Sequence, residues 1–368
     1  MSEIKVNSIK GVGASVAAIT VNNSDGTCTA NITNKPNRNL IINGAMQVAQ
    51  RGTSFSAVQN TFTLDRFKFK RESTAANFTM AQSTTSPDGF AKSLKMTCTA
   101  ADTSTAHNEF VMVRYHVEAQ DLQSLGYGTA AAKPLVLSFY VRSSLTGTYN
   151  INCVQNDNSN RIYSRTYTIN SANTWEKKTI SIPADTSGFF NDDNGAGLQI
   201  NFSLILGSTY KGGAVSTAWE SYANSVFGSQ HGVNFGSSTS NDWYLTGVQL
   251  EVGSVATDFE HRSFGQELQL CKRYYEVFNP GLYVLGRYSS GSTGAAYNFH
   301  SFEVEKRAAP TSSFSGTFTS SGGYAGDPVF FQPDTRGVAI YSTNTVASGG
   351  ILYLDDSGSA FCKFDAEL

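Results

Sequence analysis

Three pairs of acidic residues lie close enough in the sequence to be considered as a general acid and its base. Asp192-Asp193 and Asp355-Asp356 stand among Asn, Gly and Ser, as carboxylates in solvated turns do. Glu303 and Glu305 fall on one face of a predicted strand. Glycoside hydrolysis needs two carboxylates at a set separation across a cleft, which neighbours in the chain do not provide. We therefore interpret all three pairs as surface groups.

The other residue types that carry chemistry are scattered along the chain. No two histidines have the spacing of a metal site, and the glycines form no phosphate-binding loop. The five cysteines are odd in number and unpaired in spacing, which predicts reduced and mostly buried thiols. The sequence therefore predicts no enzyme, no metal and no cofactor. The residues concerned are His107, His116, His231, His261 and His300, with Cys28, Cys98, Cys153, Cys271 and Cys362.

Three tryptophans could stack on the apolar faces of sugar rings. Trp175 and Trp243 lie in predicted strands, which favours a place in the core. Trp219 lies with Tyr210 in a Gly- and Ser-rich region, 207–241, where glycan contact and core packing remain equal alternatives. Trp219 and Tyr210 are therefore candidate receptor-facing residues.

The composition limits the class of protein. Of 368 residues, 40% are hydrophobic and only 15% are charged, which suits a folded chain of short strands and polar turns. The net charge of −2 and the absence of a Lys/Arg run exclude a nucleic-acid partner. No apolar run reaches the roughly 20 residues of a membrane helix, and the first residues do not read as a signal peptide. We expect folding in a cytoplasm and no membrane insertion.

The order of the predicted elements indicates an all-β protein. Strand patterns recur with turn signals between them and without a long helix, which is typical of a β-sandwich over residues 39–262. Asp65-Arg66, at the second strand, is interpreted as a buried contact or turn anchor. The predicted strands are 39–46, 62–69, 93–97, 110–117, 134–142, 164–169, 175–183, 198–206 and 243–252, with one helical turn at 118–125.

A short linking helix is predicted over 263–280. Ser263 and Gln266 have the spacing of a capping box, and Asn279-Pro280-Gly281 is a stop signal. Residues 281–368 then form a smaller C-terminal β-domain. Its predicted strands are 282–285, 297–304, 314–318, 338–341, 351–354 and 360–364.

Residues 1–38 hold short strand-like pieces that are too small to bury a core alone. Such a segment needs copies of itself or another protein to pack against. A disordered tail is the alternative. We interpret the segment as an ordered attachment segment.

Four stretches in order along the chain resemble phage tail-fibre and related virion proteins that carry a carbohydrate-binding-module-like jelly roll. They are 39–51, 128–149, 173–183 and the junction 243–275, and 307–311 is similar to a strand start in the domain that follows the helix. The resemblance covers about residues 39–310 and implies a jelly-roll β-sandwich. In this family an acidic residue after the first strand and another in the last strand often hold calcium. Here these places carry Asn43-Gly44 and Thr246-Gly247, so we expect no metal.

The resemblance implies a virion structural protein. We expect a tail fibre or receptor-binding protein that binds host-surface polysaccharide without chemistry, forms a homotrimer, and joins other virion proteins through 1–38. A capsid-decoration or connector protein of the same fold is the first alternative, and a polysaccharide depolymerase the second, although no repeat of about 20–25 residues predicts a β-helix. Host contact is expected in the C-terminal domain, where Tyr288 and Tyr324 stand among Gly and Ser in loops, while Tyr297 reads as a strand residue.

Overall fold

The computed structural model describes most of the chain. It covers the backbone of residues 6–12, 18–21, 24, 28–30, 36–56, 59–157, 160–278, 283–286, 293–316, 320–321, 329–345, 350–353 and 361–368. The side chains of 28–30, 283–286, 293–298, 320–321, 341–345 and 350–353 are not part of that description. No helix in these ranges has the length and apolar character needed to cross a lipid bilayer.

The N-terminal segment forms a small antiparallel sheet of its own. Its three strands pair in the order β1-β2-β3. Val6, Ile9 and Val12 are exposed, so this sheet buries little apolar surface by itself. The strands are β1 (Ser8–Ile9), β2 (Ile19–Val21) and β3 (Cys28–Ala30).

Thirteen strands then build a jelly-roll β-sandwich, as expected from the strand pattern. They are β4 (Ser54–Ser56), β5 (Thr61–Phe62), β6 (Lys68–Glu72), β7 (Asn77–Ser83), β8 (Ser93–Ala100), β9 (Phe110–Glu118), β10 (Leu135–Ser143), β11 (Gly147–Gln155), β12 (Arg161–Ile169), β13 (Glu176–Ile182), β14 (Ala196–Leu206), β15 (Glu220–Ser221) and β16 (Asp242–Val252). Between them lie helix α1 (Asn224–Phe227) and 3₁₀ turns at Ala119–Leu125, Ser208–Tyr210 and Phe235–Ser237.

The two sheets of the sandwich are antiparallel throughout. The first has six strands in the order β13-β10-β16-β8-β7-β4, and the second has seven in the order β15-β12-β11-β14-β9-β6-β5. Their inner faces share one hydrophobic core, in which the ring of Phe202 packs against Phe139 at 5.2 Å and Trp243 at 6.3 Å. The period of two in each strand sends one set of side chains into this core and the other set outward.

The chain continues into a helix and nine further strands. Ser263 and Gln266 form the predicted capping box at the start of α2 (Phe264–Lys272). The strands are β17 (Tyr275–Phe278), β18 (Tyr283–Gly286), β19 (Thr293–Ser301), β20 (Thr311–Ser315), β21 (Ser320–Ser321), β22 (Val329–Phe331), β23 (Gly337–Thr345), β24 (Gly350–Tyr353) and β25 (Phe361–Asp365). They form three sheets of three strands, β17-β25-β20, β18-β24-β21 and β19-β23-β22.

Three predicted elements differ most from the structure: the strand 39–46, the strand 62–69 and the helix 263–280. Residues 39–46 form a turn rather than a strand, because side chains occupy their backbone groups: Ile41 N–H donates to Asn39 Oδ1 at 2.9 Å and Asn43 N–H to Glu267 Oε1 at 2.5 Å. The predicted strand 62–69 is broken by a turn in which Arg66 has φ 72°.

The predicted helix 263–280 ends early, at Lys272. Tyr274 N–H donates to Cys271 O at 2.9 Å, and the chain then turns into β17, which pairs with β25. The predicted stop signal at 279–281 lies outside the described residues. Because β17 supplies an outer strand to the sheet that holds the C-terminus, the segment after the helix is tied to the last residues of the chain.

The four cysteines whose side chains are described agree with a reduced protein, and Cys28 lies outside that description. Cys98, Cys153, Cys271 and Cys362 are free and buried. Burial raises the pKa of the Cys153 and Cys362 thiols to about 12, so both are protonated at neutral pH. These side chains act as small hydrophobic groups in the core.

Candidate functional site

The outer face of the seven-stranded sheet carries an unusual number of polar side chains. In β9, Val111, Val113, Tyr115 and Val117 point into the core, so the residues between them point outward. The same alternation in β14 and β11 buries the apolar set and sends amides and hydroxyls outward. The outward polar residues at the middle of the sheet are Arg114, His116, Gln199, Asn201, Ser203, Asn150 and Asn152.

Strand register aligns five of the polar residues in one row across the sheet. Lys68 lies opposite Arg114, Arg114 opposite Asn201, Asn201 opposite Asn152, and Asn152 opposite Ser164. Arg114 Nε donates to Asn201 Oδ1 at 2.7 Å, and Asn201 Nδ2 donates to Asn152 Oδ1 at 2.7 Å. The amide chain therefore holds one edge of the guanidinium group in a fixed orientation.

Residues 207–241 cover one part of this face. Asn152 Nδ2 donates to Phe227 O at 2.8 Å, and Asn150 Nδ2 donates to Ser229 O at 3.2 Å. His231 Nδ1 accepts the backbone N–H of Asn150 at 3.2 Å. The amides under this segment are thus satisfied within the protein, and the Gly- and Ser-rich region forms an ordered layer over β11 and β12.

The other part of the face remains accessible over β6 and β9. Lys68, Lys70 and Arg114 are half-buried, Tyr210 is half-buried, and the Tyr222 side chain is 38% exposed. The rings of Tyr210 and Tyr222 both pack against Phe227, with ring centres 6.0 and 6.1 Å apart. We define the basic-aromatic face as Lys68, Lys70, Arg114, Tyr210 and Tyr222.

Carboxylates act on the cations of the basic-aromatic face only from beyond ion-pair distance: Glu367 and Asp365 raise the pKa of Lys68, and Glu72 raises that of Lys70. In the ranges that the structure describes, no Asp or Glu oxygen lies within ion-pair distance of Lys68, Lys70 or Arg114. Burial lowers the pKa of Arg114 to about 10, and the Tyr222 hydroxyl opposes that shift. Arg114 therefore remains charged at neutral pH.

His116 lies beside these cations and is itself uncharged. The imidazole is 7% exposed, and Nε2 lies 3.3 Å from Gln199 Oε1. Burial, followed by the charge of Arg114, lowers the His116 pKa to about 3. Its Nδ1 has no hydrogen-bond partner among the described residues.

Of the four candidate receptor-facing residues, the structure describes two. Tyr210 lies on the basic-aromatic face, where its ring also contacts Phe110 at 5.7 Å. Trp219 is 6% exposed; its ring packs on Tyr127 and Tyr163, and Nε1 donates to Pro183 O at 2.8 Å. An indole face covered in this way is not presented to a ligand in this conformation.

The other two candidates, Tyr288 and Tyr324, lie outside the described residues. The backbone of Tyr297 lies in β19, opposite Tyr341 of β23, in agreement with its interpretation as a strand residue. Of the remaining tryptophans, Trp243 is fully buried, as predicted, whereas Trp175 is half-buried against Tyr244.

The acidic pairs form no hydrolytic arrangement where they can be seen. Asp192 and Asp193 are exposed, and Glu303 is exposed and pairs with Lys272. Asp355-Asp356 falls outside the described residues. Among the described residues, no three His, Cys, Asp or Glu side chains are grouped to hold a metal ion. The Asn43 amide, at the turn considered above as a calcium position, donates to Val48 O and Asp65 O and accepts from Val48 N–H.

Asp65 and Arg66 are both buried, as interpreted, but they serve different neighbours. Asp65 accepts hydrogen bonds from Gln50 N–H and Nε2 at 2.7 and 2.6 Å. Arg66 pairs with Glu367 and donates to His116 O at 2.7 Å. Both residues anchor the turn between β5 and β6.

A cleft of about 640 Å³ lies away from this face, at the start of α2. Its walls include Pro36, His261, Gln266, Leu270 and Val304. The walls come from the end of the N-terminal segment, from the helix with the residues before it, and from the bend after β19, so the cleft marks where these parts of the chain meet.

Comparison with known proteins finds similarity in structure alone. No family model matches the sequence, and no curated protein matches it. Part of the tailspike protein 4 enzymatically active domain of bacteriophage CBA120 is similar at 11% identity and a TM-score of 0.32, over 59% of this chain and 22% of that one. The chain thus spans about a fifth of that tailspike chain.

Carbohydrate-binding modules are also among the similar structures. One is a family 4 module at 14% identity and a TM-score of 0.29, over 57% of this chain and 97% of that one. Another is the family 11 module of Clostridium thermocellum, solved with a β-1,3-1,4-mixed-linked tetrasaccharide, at 12% identity and a TM-score of 0.29, over 57% and 98%. At these scores the similarities establish no shared function.

Sequence reasoning missed most of the basic-aromatic face. It singled out Tyr210 and left Lys68, Lys70, Arg114 and Tyr222 unremarked. The alternation in 110–117 and 198–206 contained a usable signal, because the residues between the buried ones are almost all polar. Which strands are neighbours, and hence which polar residues share a row, is not encoded in that alternation.

Proposed function

We propose that this protein is a virion structural protein, a tail fibre or receptor-binding protein, that attaches to host-surface polysaccharide through its jelly roll. The observation that carries the binding part is the basic-aromatic face, where Tyr210 and Tyr222 border a row of amide and basic side chains. The virion part rests on the resemblance of the sequence to phage fibre proteins.

The chemistry of this face suits a sugar chain. The exposed part of the Tyr222 ring offers an apolar surface to one face of a pyranose, and phenol hydroxyls donate and accept hydrogen bonds. The layer formed by residues 207–241 fixes both tyrosines, so little side-chain freedom is lost on binding.

Weak contacts of this kind gain from repetition. A trimer would present three such faces to one polymer, and the second and third contacts form at a high effective concentration. The exposed apolar residues of the N-terminal sheet, Val6, Ile9 and Val12, support assembly through that segment. We propose that residues 1–35 join copies of the chain and connect them to other virion proteins.

The same fold also fits a capsid-decoration or connector protein, which would differ in position on the particle. Antibody labelling of intact particles distinguishes the two, since a fibre is labelled at the tail and a decoration protein over the capsid. A depolymerase is the third candidate. A reducing-sugar assay on a bound polysaccharide tests it, and we expect no release of sugar ends.

Binding is tested with the full-length protein and a panel of bacterial surface polysaccharides in affinity electrophoresis. We expect at least one polysaccharide to retard the protein, and Tyr222→Ala with Tyr210→Ala to abolish the retardation. Phe189→Ala is the matched control, because this exposed aromatic lies in the loop after β13, away from the face. Failure of every polysaccharide to retard the protein would contradict the proposal.

The C-terminal domain remains a second candidate location. It carries Tyr288 and Tyr324, whose expected role as receptor contacts stays a proposal. Changing both to Ala in the full-length protein tests it: loss of retardation there, with Tyr222→Ala unaffected, would move the site to the C-terminal domain. An isolated fragment from 277 is unsuitable, because it would cut through β17, which pairs with β25.

A further inference from the structure

The chemical class of the ligand can be inferred from the charges on the basic-aromatic face. Lys68 and Arg114 lie directly opposite each other on β6 and β9, and Lys70 lies opposite Met112, one residue pair further along the same face. Like charges placed opposite each other on neighbouring strands destabilise a sheet. The fold therefore maintains an arrangement that is unfavourable for its own stability.

The three cations influence one another. Burial lowers the pKa of Lys68, and the charges of Arg114 and Lys70 lower it further, while Glu367 and Asp365 oppose the shift. Burial and then Arg114 also lower the pKa of Lys70, while Glu72 opposes the shift. An anion bound between the three groups would relieve this repulsion, as an opposite charge within about 4–6 Å favours the charged form.

Arg114 has the geometry of an anion-binding side chain. Its Nε is committed to Asn201 Oδ1 at 2.7 Å, and its Nη2 has only a weak contact with Met112 Sδ at 3.6 Å. Its Nη1 has no hydrogen-bond partner among the described residues. The outer edge of the guanidinium thus remains available for two parallel hydrogen bonds to a carboxylate, phosphate or sulfate.

The Tyr222 ring borders this anion position. It packs against Phe227, with ring centres 6.1 Å apart, and Phe227 shares a hydrophobic cluster with Met112, which lies opposite Lys70. The Tyr222 hydroxyl also raises the pKa of Arg114. A ligand that brings an anion to Arg114 and a sugar ring to Tyr222 fits both side chains.

We propose that the basic-aromatic face recognises an acidic polysaccharide, whose carboxylate, phosphate or sulfate groups bind Arg114, Lys68 and Lys70 while a sugar ring lies against Tyr222. This inference rests on the proposed glycan-binding function and adds the charge of the ligand. A nucleic acid is less well matched, because the chain has a net charge of −2 and only three clustered cations on this face.

The test compares polymers that share one backbone. The full-length protein is titrated by calorimetry with neutral dextran, carboxymethyl dextran, phosphorylated dextran and dextran sulfate, with polygalacturonate as a natural uronate and oligo(dT) as a nucleic-acid probe. We expect at least one acidic polysaccharide to bind about tenfold more tightly than dextran. The affinities of the three dextran derivatives then show whether carboxylate, phosphate or sulfate binds best. Tighter binding of oligo(dT) than of every acidic polysaccharide would contradict the proposal.

Charge-removing variants locate the effect. Arg114→Gln and the double change Lys68→Gln, Lys70→Gln are each expected to weaken acidic-polymer binding about tenfold and to reduce its dependence on salt. Lys177→Gln is the matched control, because this exposed lysine lies on β13 of the other sheet. Melting temperatures of all variants show whether the fold is retained. If one of the two charge-removing variants fails to fold, the other still tests the proposal.

The outcomes separate this inference from the function it rests on. If dextran and its acidic derivatives bind alike and the charge variants change nothing, while Tyr222→Ala abolishes binding, glycan recognition stands and the acidic preference is wrong. If no polymer binds at all, both are wrong. If acidic polymers bind and Lys177→Gln weakens that binding as much as Arg114→Gln does, the interaction is a general charge effect and the proposed site is wrong.

Discussion

Arg66 and Glu367 form a buried ion pair between the jelly roll and the penultimate residue of the chain. Both side chains are almost fully buried. The Arg66 guanidinium also lies over the Tyr274 ring, 3.3 Å from its centre, and donates to His116 O at 2.7 Å. Arg51 adds contacts of 2.9 Å to Asp365 and 3.3 Å to Glu367. The C-terminal residues are therefore built into the jelly roll that carries the proposed site.

Replacing Glu367 with Gln tests this connection. The change keeps the shape of the side chain and leaves the Arg66 charge buried without its partner, which costs about 3–5 kcal/mol in comparable cases. We expect the free energy of unfolding, from urea titrations followed by circular dichroism, to fall by that amount. Glu72→Gln is the control, since Glu72 is exposed on β6. Equal stability of the two variants would contradict a structural role for the pair.

Leu137 tests the sandwich core. It is fully buried on β10, where it lies opposite Ile180 of β13 on one side and Leu250 of β16 on the other. We expect Leu137→Ala to lower the free energy of unfolding by about 2–5 kcal/mol. Val255→Ala, in an exposed loop, is the control. A loss below about 0.5 kcal/mol, the usual value for a surface site, would place this strand outside the core.

His231 predicts a dependence of stability on pH. Burial lowers its pKa to about 4, and its Nδ1 is held as an acceptor for Asn150 N–H. Because the folded pKa lies below the unfolded value of about 6.5, the unfolded state binds more protons between these values. The stability that comes from keeping His231 neutral is therefore fully present above about pH 6.5 and is lost as the pH falls towards 4.

The measurement compares unfolding free energies at several pH values in His231→Asn and the parent protein. As the pH falls from about 6.5 to 4, we expect the unfolding free energy of the parent to drop by up to about 1.4 kcal/mol per pH unit more than that of His231→Asn. The control His107→Asn, at an exposed histidine, is expected to match the parent. Burial raises the pKa of Asp65 to about 6, which gives an opposite slope between about pH 4 and 6. The contribution of His231 is therefore the difference in pH dependence between the parent and His231→Asn. If the two proteins show the same pH dependence, the assignment to His231 is wrong.

Removal of residues 1–35 tests the role of the N-terminal sheet. We expect a folded protein whose mass in light scattering is that of a monomer, whereas the full chain of 39.6 kDa scatters as a trimer. The cut keeps residues 36–38, because Asn37 N–H donates to Glu260 Oε1 and Arg38 Nε donates to Thr257 Oγ1. A full-length monomer, or a truncated trimer, would contradict assembly through this segment.

The sequence predicted the fold better than the site, for a physical reason. Alternation and apolar runs depend on one strand at a time, so strands such as β10, β14 and β16 were found close to their observed limits. The turn at 39–46 was missed because its backbone groups bind side chains from distant residues, including Glu267. The row from Lys68 to Ser164 was missed because it joins residues of five strands through their register.

The most direct test of glycan binding by the jelly roll is a dissociation constant measured by biolayer interferometry. Full-length protein, Tyr222→Ala and Phe189→Ala are compared on one immobilised host polysaccharide at one salt concentration. We predict that Tyr222→Ala weakens binding about tenfold or more, equivalent to about 1.4 kcal/mol, and that Phe189→Ala leaves it unchanged. Equal affinity of all three proteins, or no binding by any of them, would contradict recognition through the basic-aromatic face.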